Sequence, residues 1–292
     1  MYKAIICTLI ALIICVSCNT PKKKSAEHFK IAHELFSAEN YNESLKAVDF
    51  AISFDSLNND AIFLKGKLKY HFDFDEEAIQ VVMPLLKRDF KIDTINNFIG
   101  RCYFSLGYSY SYKNIDQKKG EEALEKSIIF YNNSLKQNPL FYESYLGKQM
   151  ALHNLERYGE SLNTLNQAIR LFPDSILLIS NRGVEKHFLG DNDGALMDLN
   201  KSIISNRLDS SDLANAYRFR GRIYALNDKL DQAIDDLTKA ILYDSKNEMA
   251  YVTRGDIYRL KGLKDKACQD YRKAAELGLV SVYDQIKEYC NN

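Results

Sequence analysis

Tryptophan is missing altogether, and the chain has only four prolines and 13 glycines in 292 residues. So few helix breakers suit a helical protein and argue against a loop-rich β-sandwich. The patterns that usually carry chemistry are missing as well. There is no G-x-S-x-G, no H-E-x-x-H and no Walker-type glycine loop. Among Cys18, Cys102, Cys268 and Cys290 no pair has C-x-x-C spacing. The histidines at 28, 33, 71, 153 and 187 never pair at i, i+3 or i+4, so no zinc or other metal site is expected. Acid pairs such as Asp235-Asp236 and Glu121-Glu122 have lysines nearby and read as solvated helix faces. Catalysis and a cofactor are therefore not expected. Neither sign of charge predominates, with 39 basic and 39 acidic residues. The segment 1–24 holds four lysines and no acid, which leaves 35 basic against 39 acidic in the remainder. That balance offers nucleic acid no basic surface.

What the chain does have is a period. Ala214–Asn247 written above Glu248–Ser281 matches at a spacing of 34: Tyr217 falls over Tyr251, Gly221 over Gly255, Tyr224 over Tyr258, Ala233 over Ala267 and Ala240 over Ala274. Apolar and small residues three and four apart make each unit two short amphipathic helices. Gly221, Ala233 and Ala240 are small because helices crossing near that distance leave no room for more. Tyr217 and Tyr224 share one face of the first helix, where they can fill the gap to a neighbouring unit. One pair cannot bury its own apolar face, so copies must stack.

The pattern Tyr217-x2-Arg220-Gly221-x2-Tyr224, followed by Ala233-x3-Leu237-x2-Ala240, resembles the helix-turn-helix signature of the tetratricopeptide repeat family. The resemblance implies an all-α, right-handed α-solenoid of about seven helix pairs plus a C-terminal capping helix. In register, the units run about 25–58, 59–92, 93–139, 142–175, 176–209, 214–247 and 248–281, and a cap covers 282–292. In the third unit the second helix returns to register 15 residues late, at Ser127 and Ser134. Both of its helices are expected to be longer by about two turns, around a turn at Asn114–Lys119; an inserted loop is the alternative. The fourth unit has Gln149 where glycine is usual.

Residues 1–17 have the proportions of a secretory signal: a charged start, then the 13-residue apolar run Ala4–Val16, too short to span a bilayer. Val16-Ser17-Cys18 resembles a bacterial lipobox, which implies removal of the signal and lipidation of Cys18. A free thiol after cleavage, or an uncleaved anchor, are the alternatives. Residues 18–24, with Pro21 and three lysines, read as a short tether. Cys268 and Cys290 lie about equally far either side of a turn near Gly278-Leu279. Buried free thiols packing as small hydrophobes are the first reading; the alternative is that the two face each other in a disulfide, which an exported protein would keep.

In tetratricopeptide proteins the first helices line a concave groove that takes a peptide or a helix of another protein. Carried onto this chain, the groove residues are Phe29, His33, Phe36, Phe63, Lys67, Tyr70, Asn97, Arg101 and Phe104 in the front half. In the rear half they are Asn181, His187, Arg218, Arg222 and Arg259. The paired Lys/Asn pattern by which some members grip a C-terminal carboxylate is not reproduced. The leading function class is a non-enzymatic scaffold, membrane-anchored in the bacterial cell envelope (the outer membrane before the inner), binding another protein or peptide and no nucleic acid. The alternatives are a structural subunit of an envelope assembly or secretion machine, and a surface lipoprotein that captures glycans or peptides.

Overall fold

The computed structural model describes residues 20–112 and 115–290. The expected signal peptide, Cys18 and Asn114 lie outside the described residues. Within them the chain is helical throughout, with no strand. It divides into two compact units, Met1–Leu155 and Glu156–Asn292. The first holds α1 (Pro21–Ser37), α2 (Tyr41–Phe54), α3 (Asn59–His71), α4 (Asp75–Leu86), α5 (Ile92–Tyr112), α6 (Gln117–Gln137) and α7 (Tyr142–Asn154). The second holds α8 (Tyr158–Leu171), α9 (Ile176–Phe188), α10 (Asn192–Ser205), α11 (Ser210–Leu226), α12 (Leu230–Tyr243), α13 (Glu248–Leu260) and α14 (Lys264–Glu276). Each unit is an α-solenoid of antiparallel helices packed in chain order.

Local chemistry starts and stops these helices on schedule. Asn58, Ser175, Asp209 and Asn247 each cap a first helix by accepting the backbone N–H three residues on. The first helices α1, α3, α9, α11 and α13 end in a left-handed residue, and the next N–H donates back to a carbonyl five residues earlier, as in Asn40 N to Leu35 O, Lys229 N to Tyr224 O and Leu263 N to Tyr258 O. The left-handed residues that follow first helices are Glu39, Asp73, Glu156, Gly190, Asp228 and Gly262, and they fall in three couples spaced by 34.

Within a pair the seam is as close as the small residues imply. A Cβ on Gly221 would sit 3.1 Å from the carbonyl oxygen of Ala233. Ala195, Ala233 and Ala267 are wholly buried. The third pair is longer, as the delayed register implies: α5 and α6 are 21 residues each. Gly107 and Gly120 carry the extension by facing each other; a Cβ on Gly120 would approach Gly107 O to 3.1 Å. Asp116 caps α6 by accepting from Lys119 N, so Gln117–Lys119 are helix rather than the expected turn.

Two further expectations are corrected. Lys22–Lys24 are not tether, because Thr20 caps the backbone N–H of Lys23 and Pro21 opens α1. The C-terminal segment is not one amphipathic helix. It passes through a 3₁₀ turn (Val280–Val282), a short α turn (Tyr283–Gln285) and a π turn (Ile286–Cys290). Cys290 is bonded to Cys268 of α14 across 5.6 Å between Cα atoms, and reaching that sulfur takes the segment off a straight axis.

The left-handed turns generate a stability prediction. Glu39→Gly and Asp228→Gly relieve side-chain crowding at positive φ and are expected to raise unfolding free energy by roughly 0.5–1 kcal/mol each. Gly262→Ala is expected to lower it by about 1 kcal/mol. Chemical denaturation of the three variants checks both signs.

Candidate functional site

The first helices carry two kinds of cation. Arg182, Arg220 and Arg254 each grip an aspartate at i+16, through two parallel hydrogen bonds of 2.7–2.8 Å to Asp198, Asp236 and Asp270. These carboxylates are buried at 5%, 3% and 3% exposure, where a bidentate guanidinium is the partner that offsets desolvation. The remaining nitrogen of each arginine reaches back to the second helix of the preceding pair: Asn166, Asn200 and Thr238. Each clasp therefore ties three helices. Arg220 also lies over Tyr217 and Tyr224, at 5.3 and 5.7 Å from the ring centroids, and Arg254 over Tyr251 and Tyr258 at 5.8 Å each. The tyrosines are thus rails for an arginine as well as filler between units. Asp236 is not the solvated acid expected of Asp235-Asp236. The signal stands in the sequence, as an Arg-Gly whose arginine has Asp at i+16, three times over.

The second kind of cation has no carboxylate ion pair among the described residues. In the first unit the Lys67 ammonium lies 4.6 Å from the Phe63 ring and the Arg101 guanidinium 5.2 Å from that of Tyr70. Loss of solvent, then the nearby Lys91 and Arg101, hold the Lys67 pKa below its usual value. In the second unit Arg218 packs 4.1 Å over Phe219 and donates to Asn215. Burial, and next the charge of Arg222, bring its pKa down to about 10. His187 shares this patch; burial first, and then Arg222 and Arg218, keep its pKa low although Asn192 hydrogen-bonds it. Arg222 and Arg259 are exposed.

Not every expected groove residue is free to contact a ligand. Phe63 is 7% exposed and belongs to the core against Phe98, so its ring is structural. Asn97 is equally buried and donates to Ser144 Oγ, linking α5 to α7. Phe29 and Phe36 are half-buried against the core of the first two pairs, and Phe104 packs on the core at α6 and α7. His33 is exposed, while Asn181 is half-buried.

The sequence does not foretell a cleft within the first unit. The overrun of α5 and α6 creates a half-open cleft of about 380 Å³ with the start of α4, floored by Ile79, Leu106 and Ala123. Tyr103, Tyr110, Glu76, Lys119, Glu122 and Lys126 form its walls. Close by, Asp75 is 6% exposed; it is hydrogen-bonded to Ser105, its Oδ1 has no partner, and burial raises its pKa to about 6. Among the described residues no group of His, Cys, Asp or Glu is arranged to hold a metal ion, and no helix is long and apolar enough to cross a membrane. Cys102 is wholly buried, and that burial pushes its thiol pKa up.

Stacked pairs with a glycine-alanine seam define the class, an α-solenoid of the tetratricopeptide type. Residues 250–277 match the model of the tetratricopeptide repeat itself. A tetratricopeptide repeat protein from Parabacteroides merdae has the same fold, with a TM-score of 0.69 at 18% identity over 92% of this chain and 98% of that one. Among curated proteins, tetratricopeptide repeat protein 6 of Homo sapiens is 25% identical over 210 residues, 71% of this chain and 37% of that protein. The mitochondrial import receptor subunit TOM70 of Rattus norvegicus is 24% identical over 212 residues, 72% of this chain and 33% of that protein. The chain thus spans about a third of the length of these curated relatives.

Two buried carboxylates give opposite predictions. Asp236→Ala strands Arg220 and is expected to cost about 3 kcal/mol in urea unfolding, whereas Asp235→Ala, at an exposed position, stays within about 0.5 kcal/mol. Asp75 has its folded pKa raised, so its contribution to stability is complete below the ordinary carboxylate range and is lost as pH rises through about 6. Asp75→Asn is therefore expected to melt higher than the parent at pH 8 and level with it at pH 4.

Proposed function

We propose that the protein is a non-enzymatic interaction scaffold, lipid-anchored through Cys18 in the bacterial cell envelope, that holds an acidic segment of another protein against its first helices. The observation that carries this reading is the division among the cations. Three arginines are fully engaged by aspartates. Lys67 and Arg101 in the first unit, and Arg218 and Arg222 in the second, instead repel each other without a carboxylate ion pair among the described residues. Lost solvent, and then that repulsion, already disfavour the charged forms of Lys67 and Arg218, and an incoming carboxylate supplies the opposite charge that offsets the repulsion. Arginine's planar fork suits such a partner. The half-buried ring of Tyr70 gives the segment apolar surface beside the charges of the first unit. Buried Cys102 makes a poor nucleophile, which supports a role without catalysis. The cleft along α5 and α6 favours a second reading, in which the long pair is the contact of a subunit within a larger envelope assembly.

The test is co-purification of partners from native membranes with the full chain and with a variant carrying Arg101→Glu, Arg218→Glu and Arg222→Glu. Loss of the partners, and weaker recovery by the parent as salt rises, is the expected outcome. Unchanged partners would discard first-helix binding in favour of the second reading.

A further inference from the structure

The end of the first helix pair nearest the chain's start collects an unusual set of side chains. Lys22, Lys23 and Lys24 occupy the first turn of α1, and none has an ion pair among the described residues. One stripe of α1 carries Lys24, His28 and Ile31, the last 47% exposed. Beside it α2 presents Phe50, 57% exposed, and Phe54. His28 stacks on both rings, at 5.5 and 5.4 Å between centroids, and the Lys24 ammonium lies 5.4 Å from Phe54. The turn after α2 adds Leu57, 66% exposed. Asn58 donates to Ser25 Oγ and Ser25 donates to Ala51 O, so that turn is held to the first turn of α1. Cations and large apolar groups therefore share one end of the pair.

We propose that this face, Lys22–Lys24 with His28, Phe50, Phe54 and Leu57, lies on the surface of an anionic phospholipid bilayer. The inference rests on lipidation of Cys18 and goes beyond it, from a dangling anchor to a seated one. Chain length supplies the argument. With α1 beginning at Pro21, only Asn19 and Thr20 separate the helix from Cys18. Three residues extend at most about 10 Å, so an acylated Cys18 brings this end of the pair to the head groups. What stands there fits them: lysines for lipid phosphates, aromatic and aliphatic groups for the interface just beneath. Glu27 is the exposed acid one turn further along α1, and Asp55 stands in the turn between Phe54 and Leu57, so three lysines face two acids.

The absence of tryptophan makes a direct test available. Phe50→Trp places a single emitter in the patch, and Ile129→Trp, at another exposed apolar position in the same unit, serves as comparator. Each full chain is purified from membranes, the mass of its mature N-terminus is measured, and it is reconstituted in vesicles of phosphatidylcholine with or without phosphatidylglycerol. The expected result is acylated protein in which F50W emission shifts to shorter wavelength and is quenched by brominated acyl chains, more so in the anionic vesicles. The I129W protein should keep the emission of a water-exposed indole. Adding Lys22→Gln, Lys23→Gln and Lys24→Gln to F50W should remove the difference between the two vesicle types. Acylated F50W protein whose indole still reports water overturns the seated face and leaves the anchor standing. Equal shifts at both positions overturn it as well. An unacylated N-terminus overturns the anchor and this inference together.

Discussion

How near two helices can come decides what each unit is able to do. At Gly221 a Cβ would press on the carbonyl oxygen of Ala233 and on the Leu237 side chain, each at 3.1 Å, so a side chain there fits only if its neighbours give by a few tenths of an ångström. That proximity lets a short helix such as α12 or α13 bury most of one face against its partner. It leaves the other faces to aromatic rings and to arginine. The same device, reused at Gly107 and Gly120, extends the third pair. A solenoid made this way has little interior of its own per pair, so stability accrues from neighbours, and the Arg–Asp clasps appear where neighbours meet.

Those clasps also explain why counting charges misleads in a protein of zero formal net charge. Arg182, Arg220 and Arg254 are parts of the frame, each bound through two hydrogen bonds to a buried aspartate. Arg218 and Arg222 sit two positions either side of Arg220 on the same helix, yet among the described residues neither has an aspartate ion pair. Identical side chains thus divide into those clasped in the frame and those outside it, by whether a buried aspartate stands opposite them at i+16.

Much of this was legible in the residues. The period of 34 placed the helices and the small-residue seam, and the late return at Ser127 and Ser134 indicated the long pair. Sequence misplaced Phe63 and Asn97 because a helix has two inward stripes. One meets the partner helix and the other meets the next pair, and periodicity alone does not say which positions belong to the second. It misjudged Asp236 because burial of a carboxylate depends on a guanidinium arriving from another helix. It took Lys22–Lys24 for linker because lysines and a proline look like tether until Thr20 is seen to cap them. The cleft beside α4 was invisible because it arises from the difference in length between neighbouring helices, a property of no single residue.

The bond between Cys268 and Cys290 closes the last pair with a chemistry that the rest of the fold does not need. Hydrogen bonds, clasps and packed rings form by collapse of the chain, but this bond waits for an oxidant. A molecule among reductants therefore has its terminal segment held without a covalent link, by contacts such as buried Val282 and Lys264 over the Tyr289 ring. The stitched form belongs to molecules that have met oxidising surroundings. The fold thus carries a chemical record of where it has been.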